Sequence, residues 1–129
     1  MKKTLVIGAS ENPERYSSKA IRALVSHNHE VVAIGLREGE VAGVLFNSEK
    51  KEFDNIDTVT LYVSPKNQPE YYNYIIGLKP QRVIFNPGTE NPQFIEQLKA
   101  ADIYPEVACT LVLLATDQYE SDHRNLKMK

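Results

Sequence analysis

Two features of the chain predict an α/β fold built around a mostly parallel sheet. Apolar runs of strand length alternate with segments of helical periodicity along most of the chain. The opening segment shows this most clearly, because an apolar run at 5–7 leads through Gly8 and a polar loop into a helical stripe and a second apolar run. Such alternation implies parallel strands with helices on both faces. Because crossovers are right-handed, we expect a Rossmann-like, doubly wound, five-stranded sheet in three α/β/α layers.

The predicted strands are short runs rich in apolar and β-branched residues. The third is the most typical, and Pro65 ends it. Between the second and third lies a Gly-containing region, 35–43, followed by a short apolar piece, 44–46, that is not counted as a strand. In chain order the strands are predicted at 3–8, 31–34, 58–63, 82–85 and 103–107.

The predicted helices have one apolar face or favourable end residues. The first has apolar side chains at helical spacing, and Ser17 or Ser18 is expected to be its N-cap. The second has Pro69 in its first turn, where proline is well accommodated. A polar tail is expected from about Asp117 and should fray. In chain order the helices are predicted at 17–28, 69–78, 91–101 and 109–116.

Composition limits the class of protein. The 129 residues suit a single domain, 1–129, and contents of 42% hydrophobic and 25% charged residues are ordinary for a globular chain. The net charge of −2, without a basic run, argues against a nucleic-acid-binding module. Cys109, the one cysteine, can form neither an internal disulfide nor a thiolate metal cage. Because neither a signal peptide nor a membrane-length apolar run is visible, a cytoplasmic location without membrane attachment is expected.

The loop after the first strand is the best candidate for binding an anion. Gly8 would let the backbone approach a ligand, and Ser10 and Ser17 add hydroxyl groups. The first amides of the following helix and its dipole favour a negative charge. Arg15 offers a charged fork suited to phosphate. The alternative is an ordinary strand-to-helix loop with Arg15 in solvent, and the single glycine departs from the Gly-x-Gly-x-x-Gly fingerprint of NAD sites.

Two further loops lie at the same predicted edge of the sheet. Arg37 follows the second strand, where NAD enzymes place an acid, so it is compatible with NADP or with the 3′-phosphate of coenzyme A, or with a solvated surface arginine. In the segment 86–91, Gly88 would allow a ligand to approach. A tight turn with Thr89 or Asn91 capping the next helix is the simpler interpretation.

Residues suited to catalysis are sparse. His27 and His29 fall at the opposite end of the sheet, His123 lies in the tail, and no His, Asp and Glu residues have metal-ligand spacing. Cys109 follows the fifth strand, and a small buried thiol is the simpler explanation for it. The tyrosines at 71, 72 and 74 are expected to form the partly buried face of a helix.

The segment 8–17 resembles the opening motif of the small CoA-binding domain proteins, stand-alone relatives of a domain of the succinyl-CoA synthetase α subunit. The matching positions are Gly8, Ala9, Ser10, Asn12, Pro13, Arg15 and Ser17. The resemblance covers residues 4–110 and includes the loop 63–65, Gly88 and Cys109. Gly35-Leu36 departs from the Asn-Pro that the family tends to have, and Val107-Ala108 replaces the Arg that usually precedes the cysteine.

The resemblance implies a site for coenzyme A at the carboxyl ends of the strands. Implied phosphate-binding residues are Gly8, Ser10, Arg15 and Ser17, with Arg37 near the 3′-phosphate. Implied adenine-lining residues are Val63, Ser64 and Pro65, and Gly88 would allow close approach of the pantetheine arm. The synthetase also needs a second domain with a phosphorylated histidine, which has no counterpart in the 129 residues, so acyl-CoA synthesis is not expected.

Three functional hypotheses follow. The first is non-catalytic binding of coenzyme A or an acyl-CoA, as a sensor or as a subunit serving a partner. The second is an NADP-dependent oxidoreductase, which the anion site and Arg37 would permit. The third is an interaction protein with a ligand-free Rossmann-like pocket, as a homodimer or with an unidentified protein partner.

Overall fold

The computed structural model describes residues 2–121, and the predicted tail residues 122–129, including His123, lie outside the described part. The strands in this part are β1 (Thr4–Ala9), β2 (Val31–Gly35), β3 (Gly39–Val41), β4 (Val44–Asn47), β5 (Thr58–Leu61), β6 (Arg82–Phe85) and β7 (Tyr104–Val107). The α-helices are α1 (Tyr16–Ser26), α2 (Tyr72–Leu78), α3 (Pro92–Ala100) and α4 (Thr110–Ala115). Two 3₁₀ turns, Pro65–Asn67 and Pro69–Tyr71, precede α2.

The sheet confirms the predicted Rossmann-like α/β fold. Its strand order is β3-β4-β2-β1-β5-β6-β7, and every neighbouring pair is parallel except β3 and β4. Side chains of β1 alternate between two cores, with Leu5 and Ile7 facing α2 and α3. Val6 faces α1 and α4 on the other side, which gives the three-layer arrangement.

The predicted count of five strands was wrong, since residues 2–121 contain seven. The two additional strands form a hairpin in which Val41 pairs with Val44. Its connection consists of Ala42 and Gly43, both with positive φ, 52° and 85°. Such two-residue turns usually begin with Asn or Asp, and Ala42 therefore gives no hairpin signal in the sequence.

The end of the described chain also differs from the predicted fraying tail. Tyr119 is only 3% exposed, and its hydroxyl shares a 2.6 Å hydrogen bond with the Thr4 hydroxyl of β1. Its ring lies 4.6 Å from the buried guanidinium carbon of Arg82. Residues just after α4 thus cover the amino-terminal end of the sheet. Within residues 2–121, no helix combines the length and apolarity needed to cross a bilayer.

Gly35 gives a direct test of packing at the carboxyl end of β2. A Cβ atom there would lie 2.5 Å from the Ala9 carbonyl oxygen and 3.0 Å from the Phe46 ring. We expect Gly35→Ala to lower the free energy of unfolding by about 2 kcal/mol, because the clash is with backbone. Urea denaturation measures this. Gly77→Ala is the control, since a Cβ there meets nothing within 4 Å and should be neutral or slightly stabilising. Equal effects of the two substitutions would contradict the assigned contact.

The burial of His29 predicts that the folded protein loses stability on mild acidification. The side chain is buried, its Nδ1 accepts a 3.2 Å hydrogen bond from the Lys2 amide, and burial lowers its pKa while Glu120 opposes this. The unfolded chain therefore takes up a proton near pH 6.5, before the folded chain does, so stability should fall as the pH is lowered from about 7 to below 6.5.

His29→Asn should reduce this pH dependence, because an amide oxygen can accept the same bond without titrating in this range. His27→Asn is the matched control, since His27 is exposed. Unfolding free energies measured across this pH range should show a shallower slope in His29→Asn alone. An unchanged slope in that variant would contradict the assignment.

Candidate functional site

The strand order reverses between β1 and β5, and this topology predicts a crevice at the carboxyl ends of the two strands. After β1 the chain enters α1 on one face of the sheet, and after β5 it enters α2 on the other. Doubly wound sheets bind ligands at such a switch point. The segments that follow β1, β5 and β6 surround the crevice, and these contain most of the predicted site residues.

Gly8 forms the floor of the crevice. Its φ is +101°, and the pairing of β1 with β2 shifts register across it. A Cβ atom on Gly8 would lie 2.6 Å from the carbonyl oxygen of Tyr62, the residue just after β5. Any larger residue at position 8 would therefore clash with that backbone. Ala9 is 7% exposed and packs in the core beside α1, so any contact it makes with a ligand would come from its main chain.

The loop 10–15 satisfies most of its own amides. The Ser10 hydroxyl accepts from the Asn12 amide at 3.1 Å, and the Asn12 side-chain oxygen accepts from the Glu14 amide at 3.0 Å. The Asn12 carbonyl also accepts from the Arg15 amide at 3.0 Å. These bonds make a compact turn that leads directly into α1. The amides of Asn12, Glu14 and Arg15 are therefore already paired, whereas those of the helix start are available to an anion.

The start of α1 has no side-chain cap. The N-cap is Arg15, so the prediction that Ser17 or Ser18 would cap the helix was wrong. Both serines lie inside the first turn and are buried, and the Ser18 hydroxyl has no hydrogen-bond partner among the described residues. The helix begins earlier than predicted because the Asn12 turn places Arg15 at the N-cap position. The Arg15 carbonyl accepts the first helical hydrogen bond, from the Lys19 amide. This leaves the positive end of the helix dipole without a compensating side chain.

Two arginines lie on segments at this edge. Arg15 and Arg37 are exposed, and neither has a salt-bridge partner within residues 2–121. Arg37 follows β2 next to Leu36, which is 86% exposed. Lys66, in the first 3₁₀ turn after β5, is a third exposed cation near the carboxyl ends that sequence reasoning did not single out.

The other predicted residues occupy the segments after β5 and β6. Val63 packs at the edge of the core, and the Ser64 hydroxyl accepts from the Asn67 side-chain amide at 3.1 Å, just before Pro65 begins the 3₁₀ turn. Gly88 has φ +91°, and a Cβ there would face open space. The sequence alternative of a turn and cap is also confirmed, since the Asn91 side chain accepts from the Phe94 amide at 3.1 Å.

Three residues that hold the site were not predicted. Glu11 accepts from the Glu40 amide at 2.9 Å and so anchors the loop 10–15 to β3. Asn86, 1% exposed, donates to the Leu61 carbonyl at 2.8 Å and accepts from the Thr110 amide at 2.9 Å, which joins β5, β6 and α4. Gln68 is fully buried between the loops after β5 and β6. Polar residues after strands were the available signal, but their partners are remote in sequence.

Of the groups suited to proton transfer, the two described histidines lie away from the crevice and the Tyr62 hydroxyl keeps its proton. His27 and His29 are at the amino-terminal end of the sheet, as predicted. Burial raises the pKa of the Tyr62 hydroxyl above its ordinary value, so it stays protonated at neutral pH. Cys109 is only half-buried, whereas the simpler interpretation of the sequence was a buried thiol. Within residues 2–121, no three His, Cys, Asp or Glu side chains are grouped as metal ligands would be.

Tyrosines 71, 72 and 74 serve the fold, as the sequence predicted. Tyr72 stacks on Phe94 with ring centroids 4.3 Å apart, and Tyr71 is 7% exposed. The Tyr74 hydroxyl donates to the Lys51 carbonyl.

Similar solved structures support this architecture. One crystal structure, described as that of an uncharacterized protein, has a TM-score of 0.89. Its sequence is 47% identical, and the match covers 92% of this chain and 98% of that one. A hypothetical protein from Pyrococcus horikoshii OT3 is 28% identical, with a TM-score of 0.78, over 86% of this chain and 80% of that one.

A dinucleotide-forming acetyl-coenzyme A synthetase from Ca. Korarchaeum cryptofilum, in complex with phosphate and ADP, has a TM-score of 0.66 at 16% identity. The match covers 81% of this chain and 25% of the synthetase, and at this identity it shows the fold alone. Among curated proteins, none matches the chain. The family model described as a CoA binding domain matches residues 2–115, and the chain therefore belongs to the CoA-binding domain family.

Proposed function

We propose that this protein binds coenzyme A or an acyl-CoA at the crevice between β1 and β5, as a non-catalytic sensor or as a subunit serving a partner. The observation that carries the proposal is the uncapped start of α1, which follows Gly8 and lies next to the exposed Arg15 guanidinium, for which residues 2–121 supply no salt-bridge partner. Helix amides and a cation at a switch point form a suitable receptor for a pyrophosphate. Membership of the CoA-binding domain family supports coenzyme A as the nucleotide.

The ligand would extend across the segments that follow four strands, β1, β2, β5 and β6. The pyrophosphate would contact Gly8, Ser10, Arg15 and Ser17, with the Asn12 turn holding them in place. Val63, Ser64 and Pro65 would line the adenine, and the open space at Gly88 suits a pantetheine arm. Arg37, exposed after β2, would meet the 3′-phosphate.

A non-catalytic role is supported by where the reactive groups lie. The two described histidines are at the opposite end of the sheet, and the Tyr62 hydroxyl holds its proton because burial raises its pKa. The proposed ligand-binding groups are main-chain amides, hydroxyls and arginines, which orient a nucleotide and do not move protons at neutral pH.

Arg15 provides a direct test of the proposed pyrophosphate site. Coenzyme A should raise the melting temperature of the protein, since a ligand at 100 times its Kd adds about 2.7 kcal/mol of stability. Arg15→Ala should weaken binding about 10- to 100-fold, because a charge-assisted hydrogen bond contributes about 1.5–3 kcal/mol, and should leave the melting temperature of the free protein unchanged. Calorimetric titration measures the affinity.

The control is Arg22→Ala, which removes an exposed arginine further along α1 and should bind coenzyme A like the original chain. Equal affinity in the Arg15→Ala and Arg22→Ala variants would contradict the assigned pyrophosphate site. No melting shift with millimolar coenzyme A would overturn the proposed function. A larger shift with NADPH than with coenzyme A would favour the oxidoreductase hypothesis.

Two related ligands distinguish the role of Arg37 from that of Arg15. Arg37→Ala should weaken binding of coenzyme A about 10-fold and leave binding of dephospho-coenzyme A unchanged, because only the former carries the 3′-phosphate. Arg15→Ala should weaken both ligands to the same extent. A loss of affinity for both ligands in Arg37→Ala would place Arg37 elsewhere on the nucleotide.

A further inference from the structure

Gln68 is a fully buried polar side chain near the crevice. It lies between the two 3₁₀ turns that follow β5, and its relative exposure is 0%. Burying an amide is costly unless its polar atoms are paired. Its partners therefore show what the side chain holds in place.

The Gln68 side chain joins the loop after β5 to the loop after β6. Its Nε2 donates to the carbonyl of Val63 and to the carbonyl of Thr89, both at 2.8 Å. Its Oε1 accepts from the Asn91 side-chain amide at 2.9 Å. Since both partners of Nε2 are carbonyl oxygens, only one orientation of the amide satisfies the three bonds.

No main-chain ladder performs the same task. The pairing of β5 with β6 ends at Leu61 and Phe85, below the two loops. Within residues 2–121, no backbone-to-backbone hydrogen bond joins residues 62–68 to residues 86–91. The separation of these loops therefore depends on the side-chain bonds that Gln68 makes.

We propose that Gln68 is a positioning residue, which sets the spacing between the loop 63–65 and the loop 86–91 so that one coenzyme A molecule can contact both. This inference rests on the proposed function, in which the adenine lies at the first loop and the pantetheine arm at Gly88. Gln68 does not touch the ligand. It holds the Val63 and Thr89 carbonyls, and through them the two walls of the crevice.

The test compares a ligand that spans both loops with one that reaches only the first. Coenzyme A and adenosine 3′,5′-bisphosphate are titrated calorimetrically at 15 °C, with folding checked by circular dichroism. Gln68→Met keeps a similar volume without the hydrogen bonds. It should lower the ratio of the association constants of coenzyme A and adenosine 3′,5′-bisphosphate about 10-fold.

A second variant keeps the test decisive if Gln68→Met does not fold. Asn91→Asp retains the side-chain oxygen that caps α3 but replaces the Nδ2 that donates to Gln68, and also to the Tyr72 hydroxyl, with a second oxygen. It should lower the same ratio in the same direction. Gln93→Met is the matched control, because Gln93 is exposed on α3, and it should leave the ratio unchanged.

Each remaining outcome overturns the inference. An unchanged ratio in both Gln68→Met and Asn91→Asp, with or without a lower melting temperature, would make Gln68 a residue of the fold alone. An equal loss for both ligands would have the same meaning. Normal binding by the original chain would then leave the proposed function standing, whereas failure of the original chain to bind coenzyme A would overturn both.

Discussion

The close approach of β1 and β5 at Gly8 is the constraint on which the crevice depends. The Tyr62 carbonyl oxygen occupies the place where a side chain on Gly8 would begin, 2.6 Å from the Cβ position. Below this point the two strands pair regularly from Thr4 with Thr58 to Ile7 with Leu61. Above it the chains leave for opposite faces of the sheet, one into α1 and the other towards α2. The crevice is the space that this divergence creates.

Two different kinds of packing meet at that point. The face covered by α2 and α3 has an apolar core, in which Leu5, Ile7 and Phe85 are fully buried. The other face carries a polar cluster next to its apolar core, where the hydroxyls of Thr60 and Thr110 lie 2.8 Å apart and Asn86 donates to Thr60. Apolar contacts supply most of the stabilisation, whereas paired buried polar groups impose one particular arrangement of the neighbouring segments.

The proposed anion site combines rigid and adaptable parts. The turn around Asn12 pairs the amides of Asn12, Glu14 and Arg15 within the loop, and Glu11 bonds the loop to β3, so these contacts position the start of α1. The arginines at 15 and 37 are exposed, and their guanidinium groups are free to move onto a phosphate. Fixed amides reduce the entropy lost on binding, and long charged side chains adjust to the ligand.

Alternating strands and helices, the apolar stripes of α1 and α3, and the turn with its Asn91 cap could all be predicted from the sequence, because each depends on residues close together in the chain. The β3–β4 hairpin, the Arg15 cap and the burial of Tyr119 could not. The hairpin turns at Ala42 without the residues that such turns usually contain. The turn held by the Asn12 side chain makes Arg15 the N-cap in place of a serine. Tyr119 is buried because its hydroxyl bonds to that of Thr4, at the other end of the chain. The sequence by itself determined the layers of the fold, since periodicity is a local property, and it predicts the carboxyl edge of the sheet as the place for a ligand. Only the tertiary structure decided which amides remain open and how Gln68 joins the two loops, because those bonds connect residues that only the folded sheet brings together.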